Sequence, residues 1–247
     1  MSRHERSLEA GLSDPRVPPA LASGELEILG LLPNSSNYTF LARATAGGER
    51  LLAVYKPRRG ETPLWDFSRG TLCQREVAAY VVAGELGWPN IPATVLREGP
   101  EGVGSVQRFV EFDPSEHYFT LEGRFDDDFR RVALFDLVAN NADRKAGHCL
   151  LAPDGTIWVV DHGVCFNEEA KLRTVIWSFI GEPIPEALLA DLARAREGLE
   201  GGRLHGRLAG LLSGEELAAL TGRIDELLAG GRFPEPGPGR PYPWPPV

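Results

Sequence analysis

Two aspartates bracket the stretch of this chain with the clearest chemical potential. Asp143 follows an apolar helix end, Leu137-Val138-Ala139, and the polar run Asn140-Asn141-Ala142. Asp161 closes a strand after the turn Pro153-Asp154-Gly155 and precedes His162-Gly163. Loop, strand, turn and strand together deliver two carboxylates side by side at a cleft. Phosphoryl transfer needs such a pair, because one carboxylate must orient the attacking hydroxyl while another holds the metal that neutralises the phosphates.

Lysine is scarce enough that each one can be weighed: only Lys56, Lys145 and Lys171 occur. Lys56 ends an otherwise apolar strand, which would bring its ammonium out at a cleft; the plainer alternative is a snorkelling surface residue. Glu76 opens a helical stripe, either as a first-turn acid satisfying the helix dipole or as an ion-pair partner that positions Lys56. The turn Pro33-Asn34-Ser35-Ser36-Asn37 offers Ser35, Ser36 and Asn37, whose backbone N–H groups and side chains could approach a phosphate, or which simply turn the chain.

The elements that would position these residues follow from periodicity. Leu26–Leu32, Tyr38–Ala44 and Leu51–Lys56 read as an antiparallel meander. A helix over Gln74–Leu86 and strands Ala93–Arg97 and Ser105–Val110 complete a five-stranded sheet with one helix. Between them, Pro57–Thr71 is an insertion in which Trp65 and Phe67 stand among Arg58, Arg59 and Arg69, as packing or as a basic aromatic edge. Asp126–Asn141 is a strong helix opened by three acids. Further helices are expected around Thr174–Ile180, Pro185–Leu199, Arg203–Leu212 and Glu215–Leu228, with Ser213 and Glu216 forming a capping box. The organisation predicted is a flexible arm over 1–23, blocked from regular structure by Pro15, Pro18 and Pro19, a β-rich lobe over 24–111, a helical lobe over 112–232, and an extended Pro-rich tail over 233–247.

Composition narrows the function classes. The 247 residues carry 43% hydrophobic and 25% charged side chains and a net charge of -9, which speaks against non-specific nucleic-acid binding. No apolar run approaches the roughly 20 residues of a membrane helix, and Met1-Ser2-Arg3-His4-Glu5-Arg6 leads into charged, Pro-rich sequence. A cytoplasmic protein without stable membrane insertion is expected. Cys73, Cys149 and Cys165 have no C-x-x-C spacing, so buried thiols are expected in preference to disulfides or zinc.

The pieces Val54-Tyr55-Lys56-Pro57, Arg75-Glu76-Val77-Ala78-Ala79-Tyr80, Gln107-Arg108-Phe109-Val110-Glu111, Asp143-Arg144 with its loop to His148, and Val160-Asp161-His162-Gly163 occur in an order that resembles the protein-kinase-like superfamily. They are most similar to the phosphatidylinositol 3- and 4-kinase branch, in particular bacterial relatives of type II phosphatidylinositol 4-kinases. The resemblance implies an α+β, two-lobed protein-kinase-like fold, a small antiparallel β lobe with one helix and a mainly helical C-terminal lobe. It also implies ATP with Mg²⁺ or Mn²⁺ and transfer of the γ-phosphate to an acceptor hydroxyl on a lipid, a protein or a small molecule. Lys56 would contact the nucleotide phosphates and Glu76 would hold it; Gln107, Phe109 and Val110 would form the hinge against the adenine; Asp143 would orient the acceptor, with Arg144 screening charge or structuring the loop; Asp161 would bind the metal.

Two positions depart from the family. His148 stands where a metal-binding Asn is expected, as a ligand suited to Mn²⁺ better than Mg²⁺, a cationic donor to phosphate, or a histidine bonded within its own loop. The nucleotide loop lacks the usual glycines. Both leave open a nucleotide-binding pseudokinase scaffold, and the same fold could transfer AMP.

Overall fold

The protein is described by a computed structural model, which covers residues 14–33 and 37–247. Strands β1 (Glu25–Leu31), β2 (Phe40–Ala46), β3 (Glu49–Pro57), β4 (Thr94–Gly99) and β5 (Gly102–Arg108) form one antiparallel sheet in the order β1-β2-β3-β5-β4. Alternation along the strands decides which face is which. Ala42, Ala44, Ala53, Tyr55 and Val106 are fully buried on one face, so Val54 and Lys56, their neighbours in β3, point to the other.

Helix α1 (Pro19–Ser23) lies against the alanine-rich face, with Ala20 and Leu21 fully buried. The expectation that prolines block regular structure in the arm is therefore corrected for residues 19–23; residues 1–13 lie outside the described residues. Pro19 sits in the first turn of the helix, where its missing N–H has no partner to lose. Asp14, 8% exposed, pairs with Arg16 at 2.6 Å and ties this segment to the C-terminal lobe through Arg207 at 3.7 Å.

Helix α2 (Leu72–Leu86) begins two residues earlier than its apolar stripe indicated. The Glu61 carboxylate accepts from the N–H groups of Leu72 at 3.1 Å and Cys73 at 2.9 Å, supplying the cap that the helix start needs. Its other end is closed by Gly87 at φ 85°, a left-handed cap that glycine adopts without strain. Residues from Arg75 to Ala83 are all buried, since the sheet lies on one side and the C-terminal lobe on another.

The C-terminal lobe comprises α3 (Tyr118–Leu121), α4 (Asp126–Ala139), the hairpin β6 (Cys149–Leu151) and β7 (Ile157–Val159), then α5 (Glu186–Leu199), α6 (Arg203–Leu208) and α7 (Gly214–Gly230). The capping box at Ser213 and Glu216 is present. The helix expected over Thr174–Ile180 does not form. The N–H of Thr174 bonds laterally to the Pro241 carbonyl and that of Val175 to the Arg144 carbonyl, and Thr174 pairs with Arg144 in a parallel bridge, so the segment starts extended; Val175, Ile176 and Ile180 are β-branched and favour that conformation. The tail from Phe233 onward has no helix or strand, as expected, but it is docked: Phe233 is 4% exposed and packs on Phe179. Among the described residues, no helix is long and apolar enough to cross a membrane.

Candidate active site

Lys56 leaves the end of β3 on the cleft face and meets Glu76 of α2 in an ion pair, while its Nζ also lies 2.8 Å from Asp161 Oδ1. The second oxygen of Glu76 accepts the His162 N–H at 3.0 Å. One carboxylate thus ties the strand of one lobe to the Asp161–His162 segment of the other. Burial pulls the Lys56 ammonium down, but Asp161 and Glu76 together outweigh it and hold it above the ordinary lysine range. Lys56 in turn holds the Asp161 carboxyl well below the usual carboxylate range, against burial.

Asp161 adopts φ 63°, a left-handed conformation that is uncommon for a non-glycine residue and tends to occur at functional turns. Its side chain is half exposed. Asp143 is positioned by its own N–H donating to Asn141 Oδ1 at 3.0 Å, a local turn of the kind Asn favours. Burial raises the Asp143 carboxyl, and Lys145, at 3.3 Å, opposes the rise.

Lys56, Glu76, Asp143, Lys145, His148 and Asp161 line one cavity of about 330 Å³ between the lobes. The structure therefore gathers five of the expected residues. Asn37 also borders it, with its Oδ1 accepting the Thr62 N–H at 2.7 Å; Ser35 and Ser36 lie outside the described residues. The expected hinge residues lie outside the lining of this cavity. Phe109 and Val110 follow β5 but do not line this cavity. The Gln107 side chain is spent within the sheet, donating to Thr94 Oγ1 at 2.9 Å.

Arg144, adjacent in sequence to Asp143, is fully buried. Its guanidinium pairs with Asp136 at 2.9 Å and donates to the Val160 carbonyl at 3.0 Å, and its Nη2 lies 2.8 Å from His162 Nε2. That arrangement answers the choice left open by sequence: Arg144 structures the loop and does not reach the cavity.

His148 Nδ1 accepts the Lys145 N–H at 3.3 Å, which puts the ring proton on Nε2, 3.4 Å from Asp161 Oδ2. Burial lowers its pKa to about 4, against the pull of Asp161. A neutral ring is not a cationic phosphate donor, and its Nδ1 lone pair is already bonded to the Lys145 N–H. His148 is bonded within its own loop and faces the carboxylate of Asp161.

Three contributors escaped the sequence. Lys145 lines the cavity two residues after Asp143, and the scarcity of lysine was the available signal. Asp136 sits between Phe135 and Leu137 within an apolar helix stripe, a placement that marks an acid with a buried partner. His162, fully buried, gave no periodic signal. The three thiols are buried as expected, and burial pushes those of Cys73 and Cys149 up to about 12. For a divalent cation the suitable donors are the half-exposed carboxylate of Asp161 and that of Asp143 across the cavity. Hard oxygen donors completed by substrate phosphates are the set that Mg²⁺ takes.

No family model matches the chain. The crystal structure of the Helicobacter pylori proinflammatory kinase CtkA aligns with a TM-score of 0.51 at 13% identity, over 85% of this chain and 93% of that one. With the sheet, the helix α2 and the interlobe cleft, this defines a two-lobed protein-kinase-like fold. Protein Rv2133c of Mycobacterium tuberculosis is 40% identical over an alignment of 260 positions that covers 91% of this chain and 93% of that protein. The chain belongs to the family of Protein Rv2133c. Phosphatidylinositol 4-kinase gamma 4 of Oryza sativa subsp. japonica is 29% identical over 124 residues, and the Arabidopsis thaliana protein of the same name 27% over 131. Each match covers 42% of this chain and less than a quarter of the plant protein, 22% and 23% respectively.

Proposed function

We propose that the chain is an ATP-dependent phosphotransferase of the phosphatidylinositol-kinase-like kind, moving the γ-phosphate to an acceptor hydroxyl. The observation that carries the reading is Lys56, held by Glu76 and reaching Asp161, in a cavity that Asp143 also lines. When nucleotide enters, the Lys56 ammonium turns from Asp161 to the phosphates while Glu76 keeps its stem in place. Asp143 orients the acceptor hydroxyl and takes its proton as the new O–P bond forms and the bond to the departing ADP breaks. Lys145, beside Asp143, offers a second positive charge to the transferring group. Asp161 would hold Mg²⁺ or Mn²⁺, which would neutralise charge on the phosphates. His148 keeps the Asp161 carboxylate aimed at the cavity.

The acceptor is a lipid, a protein or a small molecule; the names of the plant relatives support testing a phosphoinositide first. Incubation of the protein with γ-labelled ATP against separate lipid, protein and sugar pools should transfer label to one of them. Mass spectrometry of that product should show a phosphate adduct. An AMP adduct, or nucleotide binding with no transfer to any pool, contradicts the proposal. A nucleotide-binding scaffold without turnover is favoured by one feature, the engagement of both Asp161 oxygens within the protein, by Lys56 and His148.

A further inference from the structure

The Pro-rich tail contacts the loop that carries the candidate catalytic residues. Ala146–His148 is a short 3₁₀ turn between Asp143 and β6. Its first N–H, on Ala146, has no partner inside the turn and donates to the Pro246 carbonyl at 2.8 Å. The stretch around Arg144 runs beside residues 173–175, with Arg144 N–H donating to the Arg173 carbonyl at 2.9 Å and Val175 N–H to the Arg144 carbonyl at 3.1 Å. On the other side of that segment, the Pro241 carbonyl accepts the Thr174 N–H at 3.0 Å and Trp177 Nε1–H at 3.3 Å. Tail, middle segment and catalytic loop therefore lie side by side.

The chemistry of the tail fits this placement. Pro241, Pro243, Pro245 and Pro246 have no N–H, so the segment offers carbonyl oxygens and asks for few donors in return. Its large side chains stay outside: Trp244 is 74% and Tyr242 49% exposed. The donors it serves are inside, since Ala146 is fully buried and Thr174 is 2% exposed. Without the tail, both N–H groups would lose their partners in a poorly solvated place.

We infer that residues 241–247 are a positioning strap for the catalytic loop, fixing the turn from which Asp143, Lys145 and His148 reach the cavity. The effect on rate rests on the phosphotransferase reading; the effect on loop order does not. The test removes residues 241–247 and, separately, makes Trp177→Phe, which deletes one donor to Pro241 at full chain length. Hydrogen exchange at Ala146 and Thr174 should speed up by about tenfold or more in the truncated chain. In the same protein kcat should fall about tenfold to a hundredfold, with KM for ATP unchanged. A synthetic peptide of residues 238–247 added in trans should restore both, and Trp177→Phe should speed exchange at Thr174 more than at Ala146. Unchanged exchange at both amides overturns the strap. So does a truncated chain that loses ATP binding and cooperative melting together and is not restored by peptide. A full-length protein that transfers phosphate to nothing counts against the phosphotransferase reading alone, and exchange then decides the strap.

Discussion

Two ion pairs linked through His162 have opposite characters. Arg144–Asp136 has both side chains fully buried at 2.9 Å, with the remaining guanidinium protons given to Val160 and His162. Lys56–Asp161, at 2.8 Å, has side chains 22% and 50% exposed and opens onto the cavity. A sealed pair cannot trade partners, because either charge left alone would be buried and uncompensated. An open pair can, because water or a ligand phosphate can replace either member. The first holds the loop of the candidate site against helix α4; the second is the part of the candidate site that a ligand can rearrange.

The sharpest break of this contrast is Arg144→Ala. It strands Asp136 in the core and should destabilise the fold by about 3–5 kcal/mol, read as a lowered midpoint in urea. Asp161→Asn keeps an oxygen for Lys56 and should leave that midpoint near the parent value. If the two variants melt alike, the contrast between sealed and open pairs fails.

His148 gives a slightly smaller and pH-dependent effect. Its folded-state pKa lies at about 4, below the ordinary 6.5, so between these values the unfolded chain binds the extra proton. Stability should therefore fall as pH drops from 6.5 toward 4, by on the order of 3 kcal/mol for this group. Buried His162 titrates in the same sense, so the readout is the difference between the parent and His148→Asn, whose pH slope should be shallower. Equal slopes would place His148 in water and remove it from the loop.

Nucleotide binding should respond to the open pair alone. ATP with Mg²⁺ should raise the melting temperature of the parent, by about 2.7 kcal/mol of stability at a hundredfold excess over Kd. The gain should shrink in Lys56→Met. In that variant Glu76 loses its cation, and since burial already pushes its carboxyl up it should take a proton.

Much of this frame was legible because it depends on periodicity. The meander, the helix over 74–86 and the paired aspartates follow from alternation and from turns, and Lys56 could be placed at a cleft because it terminates an apolar strand. What sequence concealed depends on lateral partners. At the start of residues 174–180, the Thr174 and Val175 N–H groups bond laterally to the tail and to Arg144, partners far away in the sequence that periodicity does not reveal. Pro19 reads as a helix breaker and is a helix start. Gln107 occupies the expected hinge but donates across the sheet to Thr94. Arg144 stands beside Asp143 in the chain and points the other way, because Asp136, eight residues back and on another element, captures it.

The measurement closest to the central claim is ATP turnover with the labelled acceptor pools, made on the parent, on Asp161→Asn and on Lys56→Met, each shown to melt cooperatively. The account predicts that the parent transfers phosphate and that each variant is slower by about a hundredfold to a thousandfold. Variants that transfer phosphate at the rate of the parent would contradict it.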